Sequence, residues 1–407
     1  MARTPSSPAF WRSPLRDGRF TAVLGIVLLG GMTVLFVTGL VSYAAYNPNL
    51  SPVNDKTPDK GLLGFYLTAW PTGPHWLYRL TQGVHVTLGT TLVPVLLAKL
   101  WSVVPRLFAL PPARSLAHAL ERLSLLLLVG GALFEFTTGI LNIQLDYVFP
   151  GSFYRLHFYG AWVFFAAFLA HTALKLPLAL RNLSRVRDGD DDTLSAPAPD
   201  APSVTRRGAL GVVGGASLLL LATTAGRSFD GPVRRTALLA PHGGAEPGHG
   251  PGAFQINKTA AYARIDARET ADDVWRLTVT GPGGTVRLSR AALLAMPRHG
   301  AALPIACVEG WSTSDQRWHG VRLRDLAALV GAEPATDALV ASLQAHGSFR
   351  RAALRSNQVA DPRSLLALHV NGAPLTPDHG YPARIVVPAA PGVLHTKWVA
   401  RITFGEL

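Results

Sequence analysis

Residues 21–43, TAVLGIVLLGGMTVLFVTGLVSY, run for 23 positions without a charged side chain. An α-helix of about 20 apolar residues crosses the hydrocarbon core of a bilayer. The stretch is too long for a cleavable signal peptide and lacks an obvious small-residue cleavage site. Working outward from it, four more stretches repeat the pattern: Leu80–Ala98, Leu120–Leu141, His157–Leu178 and Gly208–Ala225. The expected N-terminal fold is therefore an all-α transmembrane bundle of five spans.

Composition agrees. Of 407 residues, 48% are hydrophobic and only 15% charged, where soluble domains carry about a quarter. The formal charge of +13 does not point to nucleic acid, because the arginines do not gather in a patch with interleaved aromatics. They gather between apolar runs instead. Arg3, Arg12, Arg16 and Arg19 precede span one, and Lys99, Arg106, Arg114 and Arg122 lie between spans two and three. Lys175, Arg181, Arg185, Arg187, Arg206 and Arg207 lie between spans four and five. The alternate loops hold only Lys56, Lys60, Arg79 and Arg155. By the positive-inside rule the N-terminus is cytoplasmic and everything after Ala225 lies outside. The lipid bilayer is the first expected partner.

The chain divides on this reading into a cytoplasmic tail (1–20), a four-helix membrane domain (21–182), a cytoplasmic linker (183–207), a fifth span (208–226), an extracytoplasmic tether (227–253) and an outer domain (254–407). The linker's acidic, proline-rich part, Asp188 to Ser203, reads as disordered. Thr205-Arg206-Arg207-Gly208-Ala209-Leu210 resembles a twin-arginine export signal placed internally, with Ala209 where a bulky aromatic is common. Two positive-inside arginines are the plainer account.

Histidines inside the spans point to haem. His157 and His171 are fourteen residues apart, close to four helical turns, which sets both on nearly one face, about 21 Å apart along the axis. Each iron needs a second ligand at matching depth from a neighbouring helix. His85 matches His157 near the outer side, and His118 matches His171 near the cytoplasmic side. One or two b-type haems are thus expected, with Arg79 and Arg155 near the outer pair for propionates. Gly89, Gly130, Gly131, Gly139 and Gly160 remove side chains where a porphyrin approaches a backbone. Small residues also simply let helices pack. Glu135 in span three is either a proton or quinone contact or a buried acid with a structural partner.

The tether is rich in Gly, Pro and His, with His242 and His249 read as solvated. From Phe254 the composition becomes that of a soluble domain. Val274–Val279 alternates like a strand and Pro282-Gly283-Gly284 turns it. Ser289–Met296 and Val321–Val330 read as helices, the second after a loop at Trp318-His319-Gly320. Ala383–Pro388 and Lys397–Phe404 read as strands. Mixed short elements predict an α+β domain.

The single cysteine, Cys307, excludes an intramolecular disulfide, and a lone cysteine is most often a small buried hydrophobe. Its neighbours argue otherwise. Pro304-Ile305-Ala306-Cys307-Val308-Glu309-Gly310-Trp311-Ser312 resembles the molybdenum-ligating segment of the sulfite oxidase family, in its bacterial branch that includes periplasmic methionine sulfoxide reductase. Asn371–Leu375, Asp378–Arg384 and His395–Ile402 follow that family's pattern in the same order. The whole chain resembles fusions of a cytochrome-b-like membrane part to this domain. The resemblance implies a molybdopterin cofactor with Cys307 as catalytic metal ligand. It places His379, Arg384, His395, Thr396 and Lys397 around the pterin and its phosphate, with Asn257 and Lys258 as further contacts. A thiolate is the soft ligand such a metal retains, and a guanidinium suits phosphate. The extra C-terminal domain of sulfite oxidases is missing, and no arginine cluster or tyrosine aligns with a sulfite site. Trp311, Arg317, Trp318 and His319 are either pocket or core.

Together these imply a membrane-bound molybdopterin-dependent oxidoreductase that moves an oxygen atom or two electrons on a small-molecule substrate. Electrons would exchange through membrane haem with a quinone or another carrier. Two alternatives stay open: a binding or electron-relay module with a non-catalytic fold, and an enzyme with a haem-free anchor.

Overall fold

The computed structural model describes residues 4–47, 69–108, 110, 115–143, 153–184, 200–229, 231–239, 250–346 and 350–407. They fall into two compact units. The first holds most of five helices: α1 (Gly18–Ala44), α2 (Leu77–Leu107), α3 (Leu116–Asn142), α4 (Phe153–Ser184) and α5 (Arg206–Thr224). All five are long and apolar enough to cross a membrane. The first four outrun their apolar stretches at both ends, while α5 starts two residues before its stretch and stops at Thr224, one short of its end. Phe20, Leu24, Leu28 and Met32 of α1 meet Leu92, Val95 and Leu96 of α2, Ala132 of α3, and Phe164 and Phe168 of α4. Gly31 admits Leu92, and Gly131 lies against Phe164, so small residues set the helix approach here.

The second unit contains the described residues of 38–86 and 223–407, with the C-terminal end of α1 and the N-terminal end of α2. Its strands are β1 (Arg276–Gly281), β2 (Gly284–Ser289), β3 (His299–Leu303), β4 (Gln316–Arg322), β5 (Ala338–Ser342), β6 (Arg351–Leu354), β7 (Leu365–Val370), β8 (Ala373–Pro374), β9 (Arg384–Val386) and β10 (Val399–Phe404). One sheet runs β2-β1-β10-β5-β6, with only β1 and β10 parallel; the other runs β3-β4-β7-β8, with β9 also on β7. Three short helices, α6 (Arg290–Ala295), α7 (Leu323–Ala328) and α8 (Ser356–Ala360), complete it. The main core joins Leu277 and Val279 of β1, Leu326 of α7, Leu366 and Leu368 of β7, and Ile402 of β10. A smaller core joins Phe254, Leu303, Ile305, Trp318 and Val386.

The loop expected at Trp318-His319-Gly320 is instead part of β4. Gln316, Trp318 and Gly320 point inward, while Arg317 and His319 are exposed. Trp318 is core, its indole N–H donating to the Leu303 carbonyl at 2.9 Å. The helix expected over Val321–Val330 covers only Leu323–Ala328, since Val321 and Arg322 finish the strand. His242, His249 and most of the acidic linker lie outside the described residues.

Helix α6 begins where expected. Ser289 is its N-cap, accepting from the Ala292 N–H at 3.1 Å. Ser289→Ala removes that acceptor, and urea unfolding should register a loss of about 1 kcal/mol; an unchanged midpoint would mean water replaces the cap.

Candidate functional site

Cys307 sits in a tight loop. Its N–H donates to the Trp311 carbonyl at 2.8 Å, and the Gly310 N–H returns to the Cys307 carbonyl at 3.1 Å. Gly310 makes the turn at φ +86°, a conformation that favours glycine. The loop's base is doubly tied: Thr313 N–H donates to the Ile305 carbonyl and Ile305 N–H to the Thr313 hydroxyl, both at 2.9 Å. Ala306 bridges Ser312 on one side and Pro391 on the other. The Gly392 N–H donates to the Ala306 carbonyl at 2.7 Å. That last pair brings the 391–397 segment alongside the cysteine loop.

Cys307 is buried. Burial, and secondarily the Glu309 carboxylate, push its thiol well up, so a metal that binds it must displace a proton. Glu309 also accepts from the Trp311 indole at 2.8 Å.

The other residues singled out from the sequence occupy a continuous layer. The His379 ring is buried, stacked on Phe254 with centroids 3.8 Å apart, and its Nε2 meets the Gly252 carbonyl at 2.6 Å. Arg384 is fully enclosed, its two Nη donating to the carbonyls of His379 (3.1 Å) and His395 (3.3 Å). Each Nη keeps a second N–H beyond these bonds. His395 Nε2 meets the Val387 carbonyl at 2.9 Å. Lys397 donates to the carbonyls of Lys258 (2.6 Å) and Asp378 (2.8 Å), which ties residue 258 into the layer. Asn257 is exposed.

Four buried polar atoms here have no hydrogen-bond partner among the described residues: Arg384 Nε, His395 Nδ1, Thr396 Oγ1 and Ser312 Oγ. Buried polar groups are seldom left unpaired, so each of these atoms is a candidate contact for a polar group from outside the chain. Ser312 carried no signal in the sequence beyond its place in the cysteine motif.

Burial makes this layer sensitive to acid. It depresses His379 to about 4, opposed by the Gly252 carbonyl, and His395 to about 3, aided by the Arg384 charge. Burial likewise lowers Arg384 to about 9 and Lys397 well below its usual range. Both histidines titrate near 6.5 when unfolded. Below that pH the unfolded chain takes up protons that the folded chain refuses, so stability is full above 6.5 and falls toward pH 4 and then 3. Denaturation at about pH 7.5 and about pH 4.5 should differ by on the order of a few kcal/mol from this pair; equal midpoints would mean the rings are hydrated.

Within the helical unit, His118 and His171 line one cavity of about 380 Å³ together with Lys99, Arg106, Arg122 and Lys175. His157 lies elsewhere in that unit, its Nδ1 3.0 Å from the Thr138 hydroxyl and 3.1 Å from a Glu135 oxygen. Gly139 lies against its ring. In the second unit, His85 Nδ1 meets the Thr38 hydroxyl at 3.1 Å, and Gly39 lies against the ring. Arg79 donates from Nε and Nη2 to the Ser228 carbonyl. No cluster of three or more His, Cys, Asp or Glu suited to a metal occurs among the described residues.

Comparison with known proteins bears on the second unit. Residues 264–406 match the family described as oxidoreductase molybdopterin binding domain. Mitochondrial sulfite oxidase of Rattus norvegicus is 34% identical over 158 residues, covering 32% of this chain and 29% of that protein. The human enzyme is 34% identical over 164 residues with the same coverage. An uncharacterized oxidoreductase of Bacillus subtilis, YuiH, is 35% identical over 131 residues, 32% of this chain and 65% of that one. The chain thus spans 29% of the length of the sulfite oxidases it matches. The matched region contains Cys307 and the whole layer from His379 to Lys397, so that residues 264–406 are similar to molybdopterin-binding oxidoreductase domains and to a part of the sulfite oxidases.

Proposed function

We propose that this chain is a membrane-bound molybdopterin-dependent oxidoreductase whose outer domain converts a small molecule by oxygen-atom or two-electron transfer. The observation that carries the reading is Cys307, the one thiol of the chain, held in a tied loop beside buried polar atoms that lack partners. The residues fit the group. Cys307 would ligate the metal, while Arg384 Nε, His395 Nδ1, Thr396 Oγ1 and Ser312 Oγ offer donors and acceptors to the pterin and its phosphate, with Lys397 and Lys258 adding positive charge. When bound, the cofactor supplies a metal that changes by two electrons and exchanges oxygen. The chain's part is to exclude water, hold the ligand sulfur, and orient the group.

The proposal places the five helices in the bilayer, the N-terminus in the cytoplasm and the domain outside. It is supported by the alternation of charge between loops. A second support is the segment between α1 and α2, which the charge pattern also sets outside. Trp70 there donates to the Ala389 carbonyl at 2.7 Å, and the Asn357 side chain donates to the Trp70 carbonyl at 3.0 Å. Such a joint needs both parts on one side. The Arg206 guanidinium is paired with Asp17, which favours the positive-inside role over export signalling for that arginine.

Electrons would pass through b-type haem to or from a quinone-type carrier. Two features support haem: the cavity shared by His118 and His171 with four cationic side chains able to meet propionates, and the fixed Nδ1 of both His85 and His157. An imidazole whose Nδ1 is bonded to a neighbour is oriented to coordinate through Nε2.

The test is elemental analysis and a reduced-minus-oxidised spectrum of detergent-purified protein from a host that makes both cofactors. Stoichiometric molybdenum with a b-type spectrum is expected. Molybdenum without haem would reduce the helices to an anchor; neither would overturn the reading.

A further inference from the structure

We infer that the outer end of α2 is an internal electron bridge, with Gln82 and Val86 coupling the iron site at His85 to the metal site at Cys307; this rests on the haem reading above.

The argument starts from one helical face. Arg79, Gln82, Gly83 and Val86 fall at helical spacing on α2, and every one of them reaches the cysteine loop or Ser228, which is bonded to it. The Gln82 amide donates to the carbonyl of Val308, the residue directly after Cys307. Val86 fills the space above Gly310: a Cβ there would lie 2.8 Å from the valine Cβ. Gly83 packs on the Ser228 hydroxyl, which itself donates to the Gly310 carbonyl at 2.9 Å. Arg79 clamps the Ser228 carbonyl from both Nε and Nη2. The cysteine loop therefore rests on two turns of this helix.

His85 belongs to the same two turns. It directly precedes Val86 and follows Gln82 by three residues, and its ring is turned to α1, where Thr38 fixes Nδ1 and Gly39 makes room. One short length of helix thus touches α1 through its histidine and the cysteine loop through Gln82 and Val86. Electron tunnelling falls steeply with distance and runs better through bonds and hydrogen bonds than across gaps. The chain offers such a path: the His85 backbone, one turn to Gln82, its amide hydrogen bond, Val308, Cys307. Glutamine suits the role because it is uncharged, so it does not bias either redox state, and its N–H reaches a carbonyl.

With both groups bound, each passage along this path would carry one electron from one metal to the other, with no bond made or broken. Two passages match one two-electron conversion of substrate. The quinone-type carrier at the far end takes or supplies that pair together with two protons.

Laser-flash photolysis of the full-length, cofactor-loaded protein tests this. Photoreduced 5-deazariboflavin delivers single electrons, and the haem band reports its own reduction and its reoxidation by the outer metal. In Gln82→Leu the reoxidation phase should slow severalfold, while molybdenum content, haem spectrum and haem midpoint potential stay as in the wild type. If Gln82→Leu loses molybdenum, Val86→Ala reads the same phase, since it only thins the packing on Gly310. Wild-type reoxidation rates in fully loaded variants would overturn the bridge while leaving the haem reading intact. A wild-type protein with molybdenum but no haem band would overturn both.

Discussion

Replacing Cys307 by serine should abolish turnover at the domain of residues 264–406 and leave its fold in place. The two halves of this expectation rest on different atoms. The loop is shaped by backbone bonds, from Cys307 N–H to Trp311 and from Gly310 N–H to Cys307, and by the Ile305–Thr313 pair beneath them. None of these uses the sulfur. Serine keeps the size and loses the soft, polarisable anion that holds a high-valent metal. The cost to stability is that of burying a hydroxyl in place of a thiol, about 1–3 kcal/mol if it finds no partner. Turnover should fall by orders of magnitude to background, molybdenum content should drop, and thermal unfolding of the variant should stay cooperative. Turnover near the wild-type rate would remove Cys307 from the metal and with it the central assignment.

The elements that could be read from sequence were those with one dominant physical signal. A long uncharged stretch such as 21–43 has few structural solutions other than a spanning or deeply buried helix, and α1 follows it, extended by a turn. The stretch Ser289–Met296 reads as a short helix, and α6 follows it with Ser289 as its cap. Strand β7 was missed for the opposite reason. Leu365–Val370 is buried on both faces, so it shows no alternation, and a short continuous apolar run does not distinguish strand from helix. In β4 the alternation is present, but Trp318-His319-Gly320 reads as a loop. At the site, Cys307 and the 379–397 layer were legible as motifs. The use of Arg384 on two backbone carbonyls was not, because that depends on chain turns remote from the motif. Gln82 was invisible: its partner Val308 lies 226 residues away, and nothing local in LTQGVH announces a contact.

Gly320→Ala should be among the most destabilising single substitutions in the second unit, although it adds one methyl group. β4 is a central strand, paired to β3 on one side and β7 on the other. Its register with β7 shifts between His319 and Gly320, which brings the two backbones together there. A Cβ at Gly320 would stand 2.0 Å from the Leu366 carbonyl oxygen and 2.7 Å from the Ala367 Cα. Both are backbone atoms of fully buried residues, so no side chain can swing aside. Relief requires prying β7 from β4, which breaks ladder hydrogen bonds and opens both cores, the one that holds Leu366 and the one that holds Trp318. Overpacking usually costs 1–3 kcal/mol, occasionally more, and a backbone clash belongs at or above about 3. Gly300→Ala is the internal control. It lies on β3, where a Cβ would meet only the His319 ring at 3.0 Å, and that ring is on the exposed face and free to rotate. Thermal unfolding of the two full-length variants should separate them clearly, with Gly300→Ala near wild type and Gly320→Ala strongly lowered or not recovered folded. Equal, small losses would mean that the β4–β7 register relaxes readily, and that the glycine at 320 reflects the local twist rather than the closeness of the strands.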